Sequence, residues 1–184
     1  MPILNEASRR LHLQWLLAKI GRKVGCQVWI ARQDHEQSWK DELFGQLSIP
    51  SLPALDSVLD GALLEDVAVL WLLKNEVIAA YEIVPKDGEM TASILRLYDF
   101  SLTRAKRRTR LCLVSPSKQF EQVYRELSRP LFRQQQERYQ CALISEENLT
   151  QNGKHILRWA SSPAVIEDLI TPSDEAQEQM LKRA

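Results

Sequence analysis

The sequence is short of glycine, cysteine and histidine, and each shortage excludes a class of function. Only six glycines occur among 184 residues, and none of them forms a glycine-rich phosphate-binding loop. The three cysteines are widely separated, which argues against a disulfide framework or a zinc site and fits buried thiols in a reducing cytoplasm. The three histidines are scattered, so no histidine-based metal centre is expected. No serine lies in a nucleophile elbow, which leaves a hydrolase triad without support.

Net charge and long apolar runs are also lacking. Lysine plus arginine and aspartate plus glutamate number 24 each, so any attraction to nucleic acid must come from local clusters. No apolar run approaches the roughly 20 residues of a membrane span, and the first residues do not combine a basic region with an apolar run. We therefore expect a cytoplasmic protein without membrane association. A chain of 184 residues is long enough for one domain with its own core.

Hydrophobic periodicity predicts an alternation of helices and strands. Helical spacing predicts a helix from Glu6 to about Gly25, and apolar or β-rich runs predict strands at 26–31, 67–73, 76–84, 111–115 and 141–145. Further helices are expected at 90–107, at 120–136 with a break at Pro130, at 146–152, and briefly around 39–44. A helix between strands 76–84 and 111–115 implies a right-handed crossover between parallel strands. The order predicts an α/β fold with a mixed central sheet flanked by helices.

The domain boundary is expected at the end of this alternation. Residues 1–155 are predicted to form the single folded domain. The polar stretch that follows, 156–184, is predicted to be a peripheral C-terminal tail that is partly helical.

Beyond the order of elements, several short motifs resemble an uncharacterised bacterial branch of the PD-(D/E)XK, or restriction-endonuclease-like, nuclease superfamily. The resemblance covers roughly residues 8–150. It is carried by LQWLL (13–17), VWIARQD (28–34), VLWL (69–72), AAYEI (79–83), LRL (95–97), RPLF (129–132) and CALIS (141–145). Each motif is short and degenerate, and it is their occurrence in order that gives the match its specificity.

The resemblance implies a Mg²⁺ site with an incomplete set of residues. An Asp on the first hairpin strand and a Glu on the second hold the metal in this superfamily, and a Lys, Glu or Gln two residues after the Glu assists. Glu82 matches the second acid and Gln14 the polar position on the first helix. Ala68 stands where the Asp is expected and Val84 where the assisting residue is expected. Neither side chain can bind a metal or transfer a proton.

Neighbouring residues offer a way to rebuild the site. Asp66 shares a strand face with Ala68, and Lys86 lies two residues beyond Val84. A three-residue hairpin loop would set position 68 opposite 82 and Asp66 diagonally from Glu82, within reach of one metal ion. A two-residue loop would shift the register by one and bring Glu65 opposite Val84 instead.

A structural alternative exists for each of these residues. Glu82 in an apolar run needs a partner, which is either a metal ion or a salt bridge to Arg96. The structural reading is favoured for the other three: Asp66 as a solvated acid at a strand start, Gln14 as a helix-face residue, and Lys86 as a turn lysine beside Asp87 and Gly88.

One dense basic run, 103–110, is a candidate for contact with nucleic acid. Its cations are Arg104, Lys106, Arg107, Arg108 and Arg110. Such side chains position a phosphate backbone rather than read its sequence. The run contains no aromatic residue, which favours the alternative of cations at a helix C-terminus followed by a solvated loop.

Two functions follow from the resemblance. The first is a Mg²⁺-dependent DNA endonuclease, acting as a homodimer, with a migrated site made of Asp66, Glu82, Lys86 and Gln14. The second is an inactive descendant with the same fold, which binds nucleic acid or another protein. Ala68 and Val84 would mark its lost site.

Overall fold

The computed structural model describes residues 5–53, 64–85, 90–103, 109–138 and 140–171. A mixed five-stranded sheet forms the centre. Its strands are β1 (Gln27–Ile30), β4 (Val69–Leu73), β5 (Glu76–Ile83), β6 (Arg110–Ser115) and β7 (Cys141–Ser145), and they lie side by side in this order. The first three pair antiparallel, and β5, β6 and β7 pair parallel.

Helices cover both faces of the sheet and connect its parallel strands. The longer ones are α1 (Glu6–Lys23), α3 (Met90–Thr103), α4 (Phe120–Leu127), α5 (Pro130–Arg138) and α6 (Glu146–Trp159), with shorter turns α2 (Phe44–Leu47) and α7 (Val165–Leu169). A parallel strand pair needs a crossover, and α3 supplies it between β5 and β6 as the sequence predicts. The break at Pro130 is confirmed, because α4 ends at Leu127 and α5 begins at the proline.

Alternate strand residues build two separate cores. On the α1 face, strand residues such as Trp71, Tyr81 and Cys112 pack against α1, α6 and α7. On the α3 face, residues such as Leu70, Ala80 and Leu113 pack against α3, α4 and α5. Both faces of the sheet are therefore buried, which explains why the strands are continuous apolar runs rather than alternating ones.

The hairpin between β4 and β5 combines two features that the sequence presents as alternatives. Its turn has two residues, Lys74 and Asn75, both with positive φ. The register nevertheless shifts beside Trp71, where a bulge on β5 adds one residue. Val69 then pairs with Tyr81, which brings Ala68 level with Glu82. This is the register expected for a three-residue loop, reached through a bulge instead.

Two other regions differ from the expected elements. The prediction of a short helix around 39–44 is wrong. A small hairpin of β2 (Ser38–Trp39) and β3 (Glu42–Leu43) occupies this region, and α2 follows it. Past residue 155 the chain remains packed as far as Thr171. α7 buries Val165, Ile166 and Leu169, and the Thr171 N–H donates to the Leu143 carbonyl at 2.8 Å. Packing therefore extends beyond the expected boundary, while the rest of the tail, 172–184, lies outside the described residues.

Candidate functional site

Glu82 lies near the end of β5, on the α3 face, and is fully buried. The Arg96 side chain on α3 binds both of its oxygens, with Nε donating to Oε1 at 3.1 Å and Nη2 to Oε2 at 2.9 Å. The backbone N–H of Ala68 donates to Oε1 at 3.0 Å. Of the two expected partners for Glu82, the structure therefore gives it Arg96.

The protonation of Glu82 is set by two opposing effects. Burial raises the pKa of the carboxyl, because the charged form loses hydration, while the bonds from Arg96 and from the Ala68 N–H lower it. The net direction is upward. In turn, the bond to Glu82 raises the pKa of the Arg96 guanidinium, and Asp66 adds a smaller contribution to the same effect. In this ion pair the Glu82 side chain is buried, whereas the Arg96 side chain is 34% exposed.

Gln14 bonds to the backbone of the same residue, Ala68, from α1. It is fully buried on α1, and its Nε2 donates to the Ala68 carbonyl at 3.2 Å and to Asp34 at 2.7 Å. Arg10, one helical turn before Gln14, donates to the same Asp34 oxygen at 2.8 Å. Among the described residues, the Gln14 Oε1 atom has no hydrogen-bond partner. Gln14 and Glu82 therefore both hydrogen-bond to the backbone of Ala68.

The two positions without functional side chains are filled by apolar packing. Ala68 and Val84 are both fully buried, and Val84 belongs to the core on the α3 face. The Val84 carbonyl accepts two bonds of 3.1 Å from Arg9, which is itself only 2% exposed. Arg9 also binds Glu146 at 2.8 Å, so it ties the end of β5 to α1 and α6. The end of β5 is therefore held in place by apolar packing and by the bonds of Arg9.

Asp66 does not share a strand with Ala68. It lies in a turn before β4 and is exposed, so the strand geometry that the sequence reasoning assumed for it is wrong. The neighbouring Glu65 pairs with Arg32 at 3.2 Å on the surface. Lys86 lies outside the described residues.

The described residues do not fit a Mg²⁺ ion in this arrangement. Mg²⁺ requires about six oxygen ligands in near-octahedral geometry. Ala68 and Val84 offer no side-chain donor, and both Glu82 oxygens already accept bonds from a guanidinium whose positive charge repels a cation. Within the described ranges, no group of three or more His, Cys, Asp or Glu side chains could hold a metal ion.

The basic run cannot be placed as a whole, and its one described cation lies away from Glu82. Arg104, Lys106, Arg107 and Arg108 are outside the described residues. Arg110 has the strand parity of Cys112, on the α1 face, opposite the face that carries Glu82. Its Nε binds Glu167 of α7 at 2.7 Å. A contact between this run and nucleic acid stays a prediction.

Sequence reasoning missed three members of this site, Arg9, Arg10 and Asp34. Two of them carried a usable signal. Arg10 and Gln14 are four residues apart and therefore share a helix face. Asp34 is the last residue of VWIARQD, one of the motifs that carry the resemblance to the PD-(D/E)XK superfamily. Arg9 pairs locally with Glu6 at 2.7 Å, but this pairing gave no signal for the site, because the bonds that tie Arg9 to it reach a strand end and a distant helix.

The sheet order, the helical crossovers and the position of Glu82 define a mixed α/β domain compatible with the restriction-endonuclease-like fold. Residues 2–170 match the family of the Type II restriction enzyme NmeDI C-terminal domain. This match spans most of the chain, and the protein belongs to that family. No curated protein and no solved structure matches the sequence. Within the described part of the chain, no helix has the length and apolar character needed to cross a membrane.

Proposed function

We propose that this chain is a nucleic-acid-binding domain of the restriction-enzyme family in which the cleavage site has been replaced by a structural ion pair. One observation carries the proposal: the carboxylate of Glu82 is bound through both oxygens by Arg96, between two apolar positions. Removing a metal site usually leaves a buried acid without charge compensation, which is costly. Arg96 supplies that compensation, so the fold no longer needs a cation there.

The link to DNA comes from the family. A Type II restriction enzyme acts on DNA, and a domain that keeps the fold while losing the metal ligands retains a scaffold for binding. The chain has no net charge, so binding must depend on local groups of cations. The PD-(D/E)XK superfamily is the assignment that the motifs and the register of Ala68 opposite Glu82 support. A homodimer stays a prediction of the same resemblance.

A second function, Mg²⁺-dependent cleavage of DNA by Asp66, Glu82, Lys86 and Gln14, is favoured by one observation. The buried Gln14 Oε1 atom has no partner among the described residues, and a ligand or a water molecule would satisfy it. For a cation to use Glu82, the carboxylate would first have to release Arg96. Such a change would have to overcome the charge-assisted hydrogen bonds between the two side chains.

Cleavage and binding assays on the same samples separate the two functions. We expect the full chain to retard DNA in a gel at low salt and to leave supercoiled plasmid and single-stranded DNA intact with either Mg²⁺ or Mn²⁺. The variant Glu82→Ala should behave in the same way, because Arg96 is one-third exposed and water can solvate it once Glu82 is gone. Metal-dependent nicking by the wild type that disappears in Glu82→Ala would replace this proposal with the endonuclease.

A further inference from the structure

The turn of the small β2–β3 hairpin holds a lysine over a tryptophan ring. Lys40 and Asp41 have φ values of 52° and 62°, a left-handed conformation that is unfavourable for most residues other than glycine and asparagine. This turn places Lys40 Nζ 4.7 Å from the centroid of the Trp15 ring on α1. A two-residue hairpin turn of this kind requires positive φ at both central residues, as the turn at Lys74 and Asn75 also does.

Three aromatic rings meet beneath this lysine. His12 stacks on Trp39 with centroids 5.1 Å apart and an interplanar angle of 26°, and it also stacks on Trp15 at 6.5 Å. Burial lowers the pKa of His12, and Lys40 lowers it further, so the imidazole is neutral at neutral pH. Trp39 is partly exposed, and its Nε1 atom has no hydrogen-bond partner among the described residues.

Acids lie beside some of these rings: Glu42 accepts from both Trp15 Nε1 and Lys19, and Glu146 is near enough to His12 to raise its pKa against the larger effects of burial and Lys40. Lys19 binds Glu42 at 2.7 Å, but Lys40 and Lys154 are exposed and have no carboxylate within ion-pair distance in the described part of the chain. Lys154 of α6 lies close enough to His12 to lower its pKa. Three further exposed cations continue the row by about one helical turn on α1 and α6: Arg22, Lys23 and Arg158. Lys40 of the hairpin and Lys154 of α6 therefore remain available to an anionic ligand.

We propose that this basic–aromatic face, made of His12, Trp15, Lys19, Trp39, Lys40 and Lys154, is where the domain binds single-stranded nucleic acid. The inference rests on the proposed function and adds the location and the strandedness. Lysines attract the phosphates, and an unpaired base can stack on a partly exposed ring whatever its sequence. The face is formed by α1, the β2–β3 hairpin and α6, on the side of the sheet opposite the α3 face that carries Glu82. The basic run ending at Arg110 has no interleaved aromatic residue.

The electrostatic part is tested by the salt dependence of binding. A fluorescein-labelled oligothymidine is titrated with the full chain, and its anisotropy is followed at several salt concentrations. Removing one lysine that neutralises a phosphate should lower the slope of log K against log salt by about 0.7 for a single strand. We therefore expect Lys40→Ala/Lys154→Ala to lower the slope by about 1.4. The charge-matched control Arg125→Ala/Arg129→Ala, on exposed ion-paired arginines of the α4–α5 region, should leave it unchanged.

The stacking part is tested by Trp39→Leu and Trp39→Phe, with circular dichroism to confirm folding. Removing the ring that stacks on one base should weaken binding of the single strand about tenfold, within the range known for such stacking. Trp39→Phe keeps an aromatic face and should bind nearly as the wild type does, which separates stacking from damage to the hairpin. Duplex DNA of the same length should bind more weakly than the single strand.

The alternative outcomes are distinguishable. If the wild type binds no nucleic acid, both this inference and the proposed function are wrong. If it binds, but the lysine pair and the arginine control weaken it equally, the location is wrong and the proposed function survives. Equal binding of duplex and single strand with no effect of Trp39→Leu overturns the single-strand assignment. Equal binding of polyglutamate would point instead to an acidic protein partner, and would also overturn it.

Discussion

Replacing Arg96 by methionine should destabilise the protein by about 2–4 kcal/mol. Removing one partner of a buried ion pair leaves an uncompensated charge and typically costs about 3–5 kcal/mol. We expect a somewhat smaller loss here, because the Arg96 side chain is 34% exposed and water can partly replace the guanidinium beside Glu82. For a domain of this size, the loss corresponds to a fall in Tm of roughly 5–15 °C. Urea and thermal unfolding of the two proteins measure it directly.

The double variant Glu82→Met/Arg96→Met is the matched control. Replacing both partners by apolar side chains is often neutral or stabilising, so it should recover most of the lost stability.

The pH dependence gives a second control. Burial raises the pKa of Glu82 in the folded state, so the folded protein holds its proton more tightly and stability falls as pH rises through that range. Without Arg96 this effect is larger, and the deficit of the single variant should be smaller at about pH 5 than at about pH 8. A deficit that is independent of pH would contradict the account.

Gly21→Ala should also cost about 2 kcal/mol, although alanine is the better helix former. A Cβ at position 21 would lie 2.5 Å from Nε1 of Trp71 and 2.8 Å from two of its ring carbons. Trp71 is fully buried, and its Nε1 donates to the Leu17 carbonyl at 3.0 Å, so the ring cannot move aside without breaking that bond. Overpacking costs about 1–3 kcal/mol or more, against a gain of about 1 kcal/mol in helix propensity. Chemical denaturation measures the difference.

Gly153→Ala provides the comparison, since Gly153 is also a buried helical glycine. Its added Cβ would lie 3.1 Å from Cδ2 of Leu16, the end of a flexible side chain. A small shift of Leu16 relieves this contact, so the helix-propensity gain should offset the cost and leave stability within about 1 kcal/mol of the wild type. Equal losses from the two substitutions would show that helix α1 does not depend on close approach to β4.

The fold could be predicted because its signals are local. Apolar runs bounded by turn residues indicate the strands, and the crossover rule predicts the parallel pairing of β5 with β6. The hairpin register shows the limit of this reasoning. Loop length alone distinguishes two registers, but a bulge beside Trp71 adds a residue that no sequence pattern announces. The small β2–β3 hairpin was missed because its turn, Lys40–Asp41, lacks the glycine or asparagine that normally signals it.

The site could be predicted only in part, because its outcome depends on long-range contacts. Glu82 is identifiable from its cost of burial, and Arg96 is its expected alternative partner. The choice between Arg96 and a metal ion depends on how α3 packs on the sheet, which the sequence does not state. Arg9 could not be found at all, since its bonds to Val84 and Glu146 join residues far apart in the chain.

The most direct test of the account asks whether Arg96 or a metal ion neutralises Glu82. Mn²⁺ is titrated into the full chain, and the free ion is followed by its electron paramagnetic resonance signal, with Glu82→Gln measured beside it. We expect both proteins to leave the Mn²⁺ signal the same, and their Tm to be unaffected by Mg²⁺ or by a chelator. One equivalent of Mn²⁺ bound by the wild type and not by Glu82→Gln would show a working metal site and contradict the account.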